Sequence, residues 1–152
     1  MKKICLLIII LFSFSCKVVL ITGYDEVLDN SVTKMKRDFN LHFIKLVRTL
    51  QDDDPNNQHI NNFEEYYDNL QADLICVNDR TKFLEGKSAQ VKKQIQNLDS
   101  IMIGFMLLHK QGFKDSRMDD HRSERNAINS SFDAVIKLQE ELKSTGKTTE
   151  KQ

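Results

Sequence analysis

Apolar residues recur at intervals of three and four along most of this chain, which is the period of an amphipathic helix. The first such stretch covers residues 25–51, and the members of its apolar face are Leu28, Val32, Met35, Phe39, Phe43, Leu46 and Leu50. The sequence DDDPNNQ follows at 52–58, where Pro55 keeps the preceding residue out of the α region. The pattern therefore predicts a long helix and then a loop.

The second stretch carries a coiled-coil-like seam with the spacing 3-4-3-4-3-4-3. Its members are Ile60, Phe63, Tyr67, Leu70, Leu74, Val77, Thr81 and Leu84. We predict that this helix ends at Gly86, which suits a C-terminal cap, and that Ser88 caps the start of the next helix. Two alternatives stay open: a break at Asn78-Asp79, or no break, because the seven-residue phase continues to Val91.

The third stretch has the apolar positions Val91, Ile95, Leu98, Met102 and Phe105. The sequence IMIGFMLL at 101–108 is apolar nearly all round, which predicts the most buried part of the fold. Gly104 lies within it and would allow a close helix approach, at a cost of about 1 kcal/mol relative to alanine. Gly112 is predicted to close this helix and Ser116 to cap the next, with Asp119 approximating a capping box.

The fourth stretch carries Met118, Ile128, Phe132, Val135, Leu138 and Leu142. Its first half has His121 and Arg125 where the period calls for apolar side chains. The polar residues 144–152 are predicted to form a disordered tail. Four long helices, short turns and the lack of any period-two alternation predict an all-α, antiparallel up-and-down bundle over residues 25–143.

The N-terminus has the pattern of a secretory signal, because Met1-Lys2-Lys3 precedes an apolar core at 4–14. A small residue before a cysteine, here Ser15-Cys16, fits a bacterial lipoprotein signal. We therefore predict a signal peptide over 1–15, acylation of Cys16 and a tether over 16–24. Ordinary cleavage after Ser15 is one alternative, and an uncleaved anchor helix over 4–22 is another, since KVVLIT resumes the apolar run.

The cysteine count bears on disulfide bonding, and the net charge bears on nucleic-acid binding. With Cys5 removed and Cys16 acylated, Cys76 is the remaining thiol and forms no intrachain disulfide; an unacylated Cys16 could bridge to it instead. The leader holds two of the 22 basic residues and none of the 22 acidic ones, so the mature part has a net charge near −2. That balance gives no support to a nucleic-acid surface, which needs a basic excess.

Candidate chemistry in the helical region is sparse. None of the four histidines has an acidic residue three positions earlier, as the helices of di-iron bundles require, so we predict surface or interface histidines at His42, His59, His109 and His121. EGKS at 85–88 lacks the first glycine and the preceding strand of a P-loop. Cys76 has only Arg80 as a thiolate-favouring neighbour and is predicted to be a small buried apolar group. We predict no catalytic residue, metal site or cofactor.

The most charge-dense stretch is KDSRMDDHRSER at 114–125, which coincides with the polar part of the fourth seam. A seam that loses its apolar residues at one end weakens packing there and leaves a surface for a partner. The predicted binding patch consists of Arg117, His121, Arg122 and Arg125.

The leader MKKICLLIIILFSFSC, the loose residues before Cys16 and the Lys/Asn/Ile-rich helical body are a recognisable combination. The chain resembles the small plasmid-encoded outer-surface lipoproteins of Borrelia-type spirochaetes. The resemblance implies a non-enzymatic, lipid-anchored protein of the bacterial outer membrane that interacts with a host or vector protein or glycan. KVVLITG departs from the polar tether of such proteins. The alternative is a structural or assembly lipoprotein of the envelope, acting as a homo-oligomer through helix–helix pairing.

Overall fold

Four helices make up most of the chain that the computed structural model describes, which is residues 23–50, 59–112 and 122–149. They are α1 (Glu26–Leu50), α2 (Glu64–Thr81), α3 (Ala89–Lys110) and α4 (Arg122–Thr149). Short 3₁₀ turns at Ile60–Phe63 and Gly86–Ser88 lead into α2 and α3. No strand occurs in these ranges, and the helices pack against one another, so the predicted all-α bundle is confirmed.

The helices run up and down, each packed against the next, and α4 packs against α1. Cross-helix hydrogen bonds fix the directions. His42, late in α1, meets Tyr67, early in α2, whereas Asp25, just before α1, meets Arg80 at the end of α2. The bundle therefore has a histidine end, where α1 and α3 finish and α2 and α4 begin, and an Asp25 end opposite.

The seams predicted from the apolar period form one continuous core. Its buried hydrophobic members are Leu28, Val32, Met35, Phe39, Phe43, Leu46, Phe63, Tyr67, Leu70, Leu74, Val77, Val91, Ile95, Leu98, Met102, Phe105, Ile128, Phe132 and Val135. Phe39 joins three helices, because its ring centroid lies 5.5 Å from that of Phe105 and 6.2 Å from that of Phe132. Burying each such side chain contributes about 1.5–3 kcal/mol, so packing dominates the stability of the bundle.

The connection between α2 and α3 differs from the predicted one. Helix α2 ends at Thr81, five residues before Gly86, because the amides of Lys82 and Leu84 turn back to carbonyls three residues earlier. Gly86 does reverse the chain, with a φ of +60°. Ser88 is at the N-cap of α3, but its hydroxyl donates to the Glu85 carbonyl and does not cap the helix. The predicted closure of α3 by Gly112 is confirmed by its φ of +78°.

The apolar second half of α3 is less buried than predicted. Ile103 is 43% exposed and Leu107 is 48% exposed. A Cβ placed on Gly104 would meet no neighbouring group within 4 Å, so this glycine does not serve a close helix approach. Helix α3 packs mainly on α2 and α4, which leaves its outer face to solvent whatever residues it carries.

The boundaries at the chain ends also need correction. Helix α4 continues to Thr149, so residues 144–149 are helical where a disordered tail was predicted. Within this extension, Ser144 and Thr145 donate their hydroxyls to the Glu141 carbonyl. The signal peptide, Cys16 and the Ser116 cap lie outside the described residues. Among the helices that the structure does describe, none combines the length and apolarity needed to cross a bilayer.

Candidate functional site

A chain of two hydrogen bonds crosses the core at the histidine end. Nε2 of His42 lies 3.1 Å from the Tyr67 hydroxyl, and the same hydroxyl lies 2.7 Å from Nδ1 of His109. All three side chains are buried, none more than 3% exposed. These residues, here called the histidine relay, join α1, α2 and α3.

The two hydrogen bonds of the relay can form together only if the Tyr67 hydroxyl donates one and accepts the other. The Tyr67 hydroxyl has a single proton to donate, so it donates to one histidine nitrogen and accepts from an N–H of the other histidine. The tautomers of His42 and His109 are therefore coupled through Tyr67. The ring nitrogen that accepts from Tyr67 carries no proton in this arrangement.

Aromatic rings enclose the relay. The Tyr66 ring stacks on the His42 ring with centroids 3.8 Å apart and planes 5° apart, and Phe63 meets His42 edge-on at 5.1 Å. Burial, with help from the positive charges of His109 and Lys45, lowers the pKa of His42 to about 3. Burial likewise raises the pKa of Tyr66 and of Tyr67, so both phenols stay protonated at neutral pH. The Tyr66 hydroxyl is buried and has no hydrogen-bond partner among the residues that the structure describes.

A groove between α1 and α2 opens beside the relay, with a cavity volume of about 480 Å³. Buried side chains line its inner part: Met35, His42, Phe63 and Leu70. Charges of both signs line it as well, and Lys34 links α1 to α2 by contacting Asp73 at 2.9 Å as well as Asp38 at 3.4 Å. His42 and Tyr66 belong to both the groove and the aromatic cluster, so the groove and the relay share one wall.

Two of the four residues of the binding patch predicted from the sequence are described, and both lie on α4, outside the groove. Arg117 and His121 fall outside the described residues. Arg122 is exposed as the first residue of α4, while Arg125 is half-buried between α4 and α1. Nε and Nη2 of Arg125 donate to Oδ1 of Asn40 at 3.2 and 3.0 Å, and its guanidinium lies 5.3 Å from the centre of the Phe43 ring.

Asn129 completes this second polar cluster. Its side-chain amide donates to Oδ1 of Asn40 at 3.2 Å, and the Asn40 amide donates back to Oδ1 of Asn129 at 2.8 Å. Arg125, Asn129 and Asn40 form what we call the amide cluster, which bridges α1 and α4. The seam at the start of α4 is therefore filled by mutually bonded polar groups, and Arg125 serves the helix contact.

The prediction of surface or interface histidines is wrong for His42 and His109, although His59 is exposed. The apolar period contained a signal for both. His42 comes three residues after Phe39 and four before Leu46, and His109 comes four after Phe105, so each continues its own seam. A polar residue at a seam position is a candidate for a buried, hydrogen-bonded group.

Cys76 is exposed, contrary to the prediction of a buried apolar group. The seam of α2 passes through Leu74 and Val77, which turns the two intervening residues outward, and Ile75 is also exposed. Within residues 23–50, 59–112 and 122–149, no three His, Cys, Asp or Glu side chains are grouped so as to hold a metal ion.

Comparison of the chain with protein-family models, curated proteins and solved structures finds no match. Its function is therefore inferred from the leader, the groove and the relay.

Proposed function

We propose that this protein is a non-enzymatic binding protein of a bacterial envelope. An acylated Cys16 anchors it to the outer membrane, and the bundle is presented at the cell surface to a host or vector protein or glycan. The leader supports the anchor, because a basic start, an apolar core and Ser15-Cys16 follow one another in the order that lipoprotein processing needs.

The observation that carries the binding role is the groove between α1 and α2. Its volume of about 480 Å³ lies within the range of roughly 300–1,000 Å³ typical of ligand sites. It combines an aromatic and aliphatic interior with charges of both signs, and Leu41 on its rim is 46% exposed. Aromatic anchors surrounded by polar groups are the usual composition of protein-binding surfaces.

The relay supports a structural role for the histidines rather than catalysis. A general acid or base has to come within hydrogen-bond reach of a substrate proton. In the relay, His42 Nε2, the Tyr67 hydroxyl and His109 Nδ1 are buried and bonded to one another.

Two experiments on intact cells test the proposal. Metabolic palmitate labelling should mark the wild-type protein and leave the Cys16→Ala variant unlabelled and unprocessed, while added protease should remove the wild-type protein from the cell surface. A mature protein that starts at any residue other than an acylated Cys16 would refute the anchor.

A photo-crosslinking residue tests the groove. Placed at Leu41, it should capture a component of host serum or matrix applied to the cells. The same residue at Ser130, an exposed position on α4, provides the matched control. Equal capture from the two positions, or none from Leu41, would refute the groove as the binding site.

A different observation favours the alternative, a structural lipoprotein that pairs through its helices. The outer face of α3 exposes Ile103 and Leu107, and an apolar hollow of about 350 Å³ lies between α3 and α4, lined by residues such as Phe105 and Ala127. A crosslinking residue at Ile103 that joins two copies of the chain on cells would support assembly. Failure of copies to crosslink there would leave the groove-binding function as the better account.

A further inference from the structure

The histidine relay is coupled to the groove through shared residues. His42 donates to or accepts from Tyr67 inside the core and also lines the groove, and the Tyr66 ring stacked on it is a second groove residue. Any change that displaces His42 therefore changes the shape of the groove. The relay thus controls the wall shared by α1 and α2.

One extra proton on the accepting histidine nitrogen is enough to break the relay. The two hydrogen bonds use two protons, one from the Tyr67 hydroxyl and one from the N–H of the donating histidine. When the accepting nitrogen is protonated as well, both rings point an N–H at the same oxygen. The Tyr67 hydroxyl proton then has no acceptor within the relay, and a positive charge lies in the core.

Burial and the neighbouring cations oppose that charge at His42. Its own helix contributes Lys45, which repels a proton, and also Asp38, whose negative charge is offset by its pairing with Lys34. Helix α2 contributes the neutral phenols of Tyr66 and Tyr67, and α3 contributes His109. Helix α4 contributes Arg125, over the adjacent Phe43 ring.

We infer that the histidine relay is an acid-sensitive latch. At neutral pH it holds α1, α2 and α3 together at the histidine end, beside the groove, and mild acid favours separation of these helices there while the remainder of the bundle stays folded. The latch regulates the groove on which the proposed function rests, but the separation of the helices does not depend on what the groove binds.

The opposite end of the bundle lacks this sensitivity. Burial acts to raise the pKa of Asp25, but the hydrogen bonds from Arg80 and from the backbone of Leu28 and Val27 outweigh it and lower that pKa. Asp25 therefore remains ionised, and its contact with Arg80 persists, at a pH that protonates an accessible histidine. Acid should act at one end first.

Hydrogen exchange of backbone amides, corrected for intrinsic rates and followed at about pH 7.5 and pH 5 on the full chain, tests the latch. An accessible histidine titrates near 6.5 and the enclosed His42 near 3, so the opening equilibrium should rise about 30-fold at the lower pH. This rise should appear as lost protection of the amides in α1 around His42 and in α2 around Tyr67. Amides around Leu28 and Val77 should change by less than about twofold.

Two variants identify the sensor. His42→Gln places an amide nitrogen near the position of Nε2 and cannot take up a proton, so the pH effect should fall below about threefold. His59→Asn changes an exposed histidine but keeps a side-chain cap for the 3₁₀ turn, and it should behave as wild type.

Each result decides the matter. Unchanged wild-type protection at the lower pH, an equal loss at both ends, or a His42→Gln variant that retains the wild-type response would overturn the latch. If His42→Gln fails to fold at neutral pH, the wild-type exchange pattern decides alone. A latch confirmed by exchange, together with no capture at Leu41, would refute the proposed function and leave the latch standing.

Discussion

The two ends of the bundle satisfy their polar groups in opposite ways. At the Asp25 end, both Asp25 carboxylate oxygens accept from the Arg80 guanidinium at 2.8 and 2.9 Å, in contact with water. At the histidine end, His42, Tyr67 and His109 bond to one another inside the core. The first arrangement depends on charge and responds to salt, whereas the second depends on one unprotonated ring nitrogen and responds to protons.

The largest expected loss of stability comes from the core between the two ends. Leu74 is buried in the seam of α2 between them, so Leu74→Ala should lower the free energy of unfolding by about 2–5 kcal/mol through lost burial and a residual cavity. Urea unfolding followed by circular dichroism measures the loss. Ile75→Ala, at an exposed position of the same helix, is the control, and equal losses for the two variants would contradict the seam assignment.

Mild acid should weaken the protein through the histidine end. Because the folded-state pKa of His42 lies at about 3, the unfolded chain takes up the proton first. The stabilisation is complete above about pH 6.5 and is lost progressively between about 6.5 and 3, with a loss of about 2 kcal/mol at pH 5. Urea unfolding of wild type and His42→Gln at both pH values measures it, and identical pH slopes would contradict the prediction.

Two neighbouring tyrosines allow the effect of losing a hydrogen-bonded hydroxyl to be compared with that of losing an unbonded one. Tyr67→Phe removes the hydroxyl that satisfies both histidines, so the free energy of unfolding should fall by about 1–3 kcal/mol. Tyr66→Phe removes a buried hydroxyl that has no partner in the described part of the chain, so this change should be neutral or slightly stabilising. The reverse order of the two variants in thermal unfolding would show that the relay contributes nothing.

The smallest effect is expected at the Asp25 end. Arg80→Gln removes an exposed ion pair, whose attraction is weak in water and screened by salt. Its unfolding midpoint should fall less than that of Tyr67→Phe, and the difference from wild type should shrink in about 1 M sodium chloride. A loss that persists at high salt would show that Arg80 acts through packing.

The apolar period predicted which positions enter the core but not how their polar members pair. His42, His109, Thr81 and Arg125 all lie on the seam period and are all buried or half-buried in the bundle. Their partners depend on how far each helix is shifted along its neighbour, which the connecting segments decide. The relay needs three helices aligned at once, and a one-dimensional pattern does not contain that alignment.

The errors have a similar origin. Ile103 and Leu107 were predicted to be buried because apolar residues crowd that part of α3, yet local apolarity does not tell how many neighbours a helix has. Cys76 was predicted to be buried although it lies between seam positions. The predicted binding patch included Arg125 because a charged seam residue suggested an open surface, and the structure shows this one member bonded to Asn40, which also bonds Asn129.

The amide cluster between α1 and α4 also fixes the register of the bundle. Apolar seams with a seven-residue phase tolerate a slip of one heptad, because one aliphatic contact then replaces another. A slip of seven residues along α4 would place Asn40 opposite Ile136 or Arg122 in place of Asn129, and their paired amides would lose each other. Leaving these half-buried amides unpaired costs free energy. That cost exceeds the difference in apolar packing energy between neighbouring alignments, so the three polar residues select one alignment.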